Sequence, residues 1–148
     1  LDKYQVTGWR QKITPFHGFT VVEDCYNAGP ESMKAALVTL AGMPCAGRRI
    51  AVLADMLELG YLSQQAHRMV GELAGSLHLD AVYAYGEMAR LIVEEAKNAG
   101  VPDTAWFSEK QGLTSHVLSN IQKGDILWVK GSHGMALETL VEAIYQQA

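Results

Sequence analysis

Cysteine is nearly absent: Cys25 and Cys45 are the only two in 148 residues. That is too few for a disulfide framework, and they lack the paired spacing of a metal site, which suits a reducing cytosol. No apolar run approaches the roughly 20 residues that cross a bilayer, and no signal-peptide pattern is present, so no membrane partner is expected. Positive charge is also in short supply. Twelve Lys and Arg stand against sixteen Asp and Glu, a net charge of −4, which gives no basic footprint for nucleic acid. Phosphate motifs are missing too: there is no GxxxxGK[ST] loop, and no GxGxxG follows the first apolar strand. What remains is a chain 49% apolar, too hydrophobic for a disordered tail and long enough to form one domain burying about 70% of its unfolded surface. It opens Leu1-Asp2-Lys3 without a methionine, which suggests a fragment of a longer protein, with residues 1–10 as remnant interdomain linker.

The apolar runs alternate with helical periodicities. Lys12 to Pro15 and Phe19 to Val22 flank His17-Gly18, which reads as a β-hairpin turn. Pro30 opens a helix with Met33, Ala36, Leu37 and Leu40 on one face, and proline suits a first helical position, where the N–H has no intrahelical partner anyway. Strands follow at Arg49 to Leu53, Ala81 to Tyr85, Thr104 to Phe107 and Ile126 to Val129. Between and after them lie helices with inward faces at Ala66, Met69, Val70, Leu73 and Leu77, at Met88, Leu91, Ile92 and Ala96, at Leu113, Val117, Leu118 and Ile121, and at Leu137, Leu140, Val141 and Ile144. Ser108-Glu109-Lys110-Gln111 has the spacing of a capping box for the fourth of these five helices. Strand then helix, five times over, predicts an α/β fold: a Rossmann-like, mostly parallel sheet with helices on both faces.

Right-handed crossovers place every strand-to-helix turn of such a sheet along one carboxyl edge, where open α/β sheets bind ligands. Asp24, Asn27, Asp55, Glu58, Tyr85, Ser108, Lys130, Ser132 and His133 collect there. Asp24 and Asn27 are expected in a tight turn after the first buried strand. An unpaired buried carboxylate would be too costly, so Asp24 is expected at the surface, as a solvated turn residue or a helix cap. Lys130-Gly131-Ser132 could meet an anion at a helix start. Asp55 and Glu58 read as a carboxylate pair or as solvated helix-start charges. His67, beside an apolar stripe with no metal-ligand cluster, reads as a hydrogen-bonded structural residue. A phosphoacceptor receiver is disfavoured, because its acceptor aspartate should close the third strand, which here ends in Tyr85-Gly86. No serine or cysteine sits in an elbow with a base.

Four stretches together resemble one family. Thr7-Gly8-Trp9-Arg10-Gln11-Lys12, Glu23-Asp24-Cys25-Tyr26-Asn27-Ala28-Gly29-Pro30-Glu31-Ser32-Met33, Leu53-Ala54-Asp55-Met56-Leu57-Glu58-Leu59-Gly60 with His67, and Val129-Lys130-Gly131-Ser132 are similar to the C-terminal domain of the Mur ligases. Within that family the likeness is greatest to the branch that adds D-alanyl-D-alanine to UDP-N-acetylmuramoyl-tripeptide in peptidoglycan precursor synthesis. The resemblance implies a three-domain cytoplasmic bacterial enzyme, of which this chain is the lid. ATP and Mg would be held mainly by a central ATPase domain, and an N-terminal domain would take the UDP-sugar. ATP phosphorylates the tripeptide carboxylate, and the dipeptide amine displaces phosphate from the acyl phosphate. By the same resemblance Arg10, Asp24 and Asn27 meet the nucleotide, while Lys130, Ser132, Asp55 and Glu58 face the incoming dipeptide. The chain departs from the family pattern at Gly29, Ala54 and His133. The alternatives are a stand-alone Rossmann-like binding or scaffold module, and the lid of a related ligase with another amino-acid substrate.

Overall fold

The computed structural model describes residues 4–5, 11–25 and 27–147. Among the described residues seven strands form one sheet: β1 (Tyr4–Gln5), β2 (Lys12–Phe16), β3 (Phe19–Asp24), β4 (Arg49–Ala54), β5 (Ala81–Tyr85), β6 (Asp103–Phe107) and β7 (Ile126–Lys130). The helices are α1 (Pro30–Gly42), α2 (Ser63–Ser76), α3 (Ala89–Asn98), α4 (Lys110–Asn120) and α5 (Glu138–Gln146). Across the sheet the order is β1-β2-β3-β7-β4-β5-β6. Strands β3, β7, β4, β5 and β6 run parallel, while β1, β2 and β3 pair antiparallel.

The hairpin forms as expected. His17 and Gly18 both take positive φ (50° and 88°), the backbone that matches a two-residue turn to the strand twist. Strand residues alternate between two cores, as period-2 side chains must. Val22, Ala51, Leu53, Val82, Ala84 and Trp128 pack with Met33, Leu37, Leu40, Val70 and Ile92. Val21, Ile50, Val52, Tyr83, Leu127 and Val129 pack with Leu113, Val117, Leu140 and Ile144 on the other face. Chain direction explains the partition. The crossovers β3→β4, β4→β5 and β5→β6 run one way across the sheet and share a hand, so α1, α2 and α3 share a face. From β6 the chain turns back to insert β7 between β3 and β4, which puts α4 on the opposite side, and α5 joins it. Helices α2 and α3 approach closely because α2 presents glycines there: a Cβ on Gly71 would stand 2.1 Å from the Ile92 carbonyl oxygen.

The capping box expected at Ser108 does not form. Helix α4 starts one residue later, with Glu109 as N-cap and no side-chain cap bond. The third helical position is then Gly112, which has no side chain to return a bond and lies against the Phe107 ring.

At the amino edge, Asp125 is held by the Arg48 guanidinium (2.8 Å), the Arg48 N–H (3.0 Å) and the Gln122 N–H (2.9 Å). This ties the turn before β7 to the start of β4. The opposite edge is left to carry the site.

Candidate functional site

Inserting β7 between β3 and β4 creates the sheet's switch point. Strand β7 leads to a helix on one face, and its two neighbours lead to helices on the other. A crevice opens at the carboxyl ends of such strands. The register sets Lys130 beside Asp24 on one side and beside Leu53 on the other.

Asp24 departs from the expected exposed turn. It is the last residue of β3 and only 3% exposed. The objection to a buried carboxylate holds for an unpaired one, and Asp24 is paired. Its Oδ2 accepts from Lys130 Nζ at 3.0 Å, Trp128 Nε1 at 3.1 Å and Gln11 Nε2 at 3.4 Å. Lys130 also departs from expectation: it lies inside β7 rather than in the following turn, and it is 2% exposed. Its ammonium bridges Asp24 and the Asn27 carbonyl oxygen, the latter at 2.7 Å. The residue expected to face the dipeptide is therefore ion-paired to the one expected to face the nucleotide. Asn27 itself is exposed on this turn. Arg10 lies outside the described residues. Just beyond, Pro30 begins α1 as expected, and the Ser32 hydroxyl accepts the Gly29 N–H at 3.0 Å.

The acidic loop after β4 divides its two carboxylates. Asp55 is buried, and its Oδ1 accepts the Ala89 N–H at 2.7 Å, which satisfies an orphan donor at the start of α3. Gly86 makes room for it, since at φ 121° a Cβ there would stand 2.3 Å from Asp55 Oδ1. Glu58 is exposed in left-handed backbone, φ 63°. Ser132 joins three loops. Its hydroxyl accepts the Leu57 N–H at 3.1 Å and donates to the Ala28 carbonyl at 3.4 Å. The result is a cleft of about 230 Å3 lined by Asn27, Ala28, Leu57, Glu58, Ser132, His133 and Gly134. A larger recess of about 640 Å3 lies along α2 and α3, and none of the expected site residues lines it.

Of the groups that hold this rim, sequence reasoning placed Tyr85 on the carboxyl edge but missed Trp128 and Lys110. Trp128 sits in an apolar strand and reads as core; its indole N–H on Asp24 is the polar handle that a buried tryptophan requires. Tyr85 Oη donates to the Met135 carbonyl at 2.5 Å, and Lys110 Nζ to the Ala136 carbonyl at 3.2 Å, fixing the loop after β7. Nothing in the local sequence signals Lys110. Cys25, beside the pair, is no nucleophile: burial, then the nearby Glu23 charge, pushes its thiol up to about 12.

A mostly parallel sheet with its switch point ringed by an ion pair and three loops defines a Rossmann-like domain. The chain belongs to the Mur ligase family: residues 9–133 match the model described as "Mur ligase, glutamate ligase domain". It is 35% identical over 148 residues to the UDP-N-acetylmuramoyl-tripeptide–D-alanyl-D-alanine ligase of Bacillus subtilis, covering 99% of this chain and 32% of that one. The Escherichia coli enzyme of the same name is 34% identical over 85% of this chain and 27% of its own. Among solved structures, the MurF ligase of Thermotoga maritima in complex with ADP superposes with a TM-score of 0.75 at 25% identity, covering 91% of this chain and 30% of that one. The chain thus spans about a third of the length of the curated relatives it matches.

Proposed function

We propose that this domain is the C-terminal lid of a cytoplasmic, ATP-dependent ligase that joins D-alanyl-D-alanine to UDP-N-acetylmuramoyl-tripeptide. The observation that carries the reading is the likeness to the Bacillus subtilis ligase along 99% of the chain. Residues 1–10 would lead in from the preceding domain, with Tyr4–Gln5 already paired to β2 as part of this domain's sheet rather than as linker. The geometry supports a division of labour on one rim. The turn of Asp24 and Asn27 suits a nucleotide, since a carboxylate accepts from ribose hydroxyls; by the family resemblance Arg10, outside the described residues, would add a guanidinium suited to a planar polyanion. With Oδ2 already taken by Lys130 and Trp128 and the side chain 3% exposed, Asp24 would meet the ribose only once domain closure rearranges the rim. The cleft beside it, with Glu58 exposed on its lining, suits the ammonium of a short peptide.

ATP and Mg2+ would rest mainly on the central domain, where the ion neutralises charge on the phosphates. This chain's own task is to close, exclude water and orient. Hydrogen bonds to charged groups contribute about 1.5–3 kcal/mol each. Association costs about 4–15 kcal/mol before any surplus appears. Two or three contacts on an open rim leave the isolated domain without measurable turnover. The test is a ligation assay of the longer enzyme with D-alanyl-D-alanine against single amino acids. Product with the dipeptide alone supports the reading; equal use of a single amino acid overturns it.

A further inference from the structure

His67 is fully buried on α2, and both ring nitrogens meet backbone. Nδ1 lies 2.7 Å from the Ser63 carbonyl oxygen, which can only accept, with the Ser63 hydroxyl farther off at 3.4 Å. Nε2 lies 2.9 Å from the Met56 nitrogen, whose N–H can only donate. These two contacts together leave one form of the ring: a neutral imidazole with its proton on Nδ1. Its Nε2 is then the acceptor for a peptide N–H in the middle of the acidic loop. One residue on, Leu57 donates to Ser132, and Ser132 reaches Ala28. Helix α2 is thereby connected through one imidazole to the three loops that line the cleft.

We infer that His67 is a positioning residue for the acceptor-amine side of the rim: it pins Met56 and thereby aims the Leu57 N–H at Ser132 and sets where Glu58 stands. The inference rests on the reading that this cleft receives the peptide amine. A ring that merely filled core volume would be replaceable by phenylalanine. A pin is replaceable only by a side chain that can accept from Met56.

The experiment compares His67→Phe, of similar shape without an acceptor, with His67→Gln, whose amide oxygen can accept, in the longer ligase. Hydrogen exchange of residues 54–58 reads the pin, exchange in β4 and β5 reads the fold, and steady-state kinetics reads the site. A buried N–H left unpaired corresponds to about a ten- to hundredfold loss of protection. The expected result is that loss at 54–58 in the phenylalanine variant with β4 and β5 unchanged, and recovery in the glutamine variant. KM for D-alanyl-D-alanine should rise about tenfold in the phenylalanine variant by the same arithmetic, with KM for ATP within about twofold. Unchanged protection at 54–58, or equal behaviour of the two variants, overturns the inference. Lost protection with an unmoved dipeptide KM overturns the assignment of the cleft to the amine.

Discussion

Replacing Lys130 by methionine keeps the stem's volume and deletes the ammonium. Two acceptors then lose their partner: Asp24 Oδ2 at 3.0 Å and the Asn27 carbonyl at 2.7 Å. Both side chains of the pair are under 5% exposed, so water cannot stand in without rearrangement. Removing one partner of a buried pair costs about 3–5 kcal/mol, much of it from stranding the other charge. Against a typical stability of about 5–15 kcal/mol that is a large fraction. With a urea slope of about 1–3 kcal/mol per molar, the midpoint falls by roughly 2 M. Tryptophan fluorescence during urea unfolding is a suitable assay, because the Trp128 indole bonds the same carboxylate. Adding Asp24→Asn to Lys130→Met removes the stranded charge and should restore about half of the loss, a coupling that additive sites do not show. A single-variant loss below about 1 kcal/mol, typical of an exposed pair, would refute the claim that this is a buried strut.

Gly86→Ala should destabilise by more than about 1–3 kcal/mol, since it combines φ 121° with a Cβ only 2.3 Å from Asp55; an unchanged melting temperature contradicts the close approach. Asp125→Ala leaves two N–H groups unpaired at the amino edge, while Arg48 keeps the Asn120 carbonyl and Asp103, and should cost about 1–3 kcal/mol in denaturant unfolding without altering the carboxyl rim. Desolvation is the first cause raising Cys25, to about 12, and also raises Tyr83, Tyr85 and Tyr145. In the unfolded chain these groups lose protons nearer 9.0 and 10.0, so above that range the unfolded state binds fewer protons than the fold. Stability should therefore be insensitive to these groups at neutral pH and fall as pH rises past about 9. Iodoacetamide at pH 8 should label Cys45 before Cys25 by peptide mapping.

Much of the architecture is written locally. Short β-branched runs, the His17-Gly18 turn and Pro30 at a helix start each act within a few residues, so they mark their elements without knowledge of the whole. The buried faces of α1, α3, α4 and α5 are legible for the same reason; α2 shares Ala66 and Val70 with its expected face but buries Gly71, Ala74 and Gly75 where Met69, Leu73 and Leu77 are expected. Strand order is not local: nothing near Ile126 to Lys130 says that β7 returns to lie between β3 and β4. That insertion makes Asp24 and Lys130, 106 residues apart, into a pair. Without it, physical reasoning rightly puts a lone aspartate in water. Asp55 is a similar case, since its helix-start partner Ala89 lies 34 residues away. His67 was legible as a structural histidine, but the loop N–H that it receives was not.

The central claim is that the Asp24 turn meets the nucleotide when this domain closes on its neighbour. Steady-state ligation by the longer enzyme carrying Asp24→Asn, with ATP and D-alanyl-D-alanine varied separately, tests it most directly. The account predicts that kcat/KM for ATP falls by at least about tenfold, and by more than it does for D-alanyl-D-alanine, in a variant that loses stability with its Lys130 partner but is still folded at the assay temperature by circular dichroism. Wild-type kcat/KM for ATP in such a folded variant would contradict it.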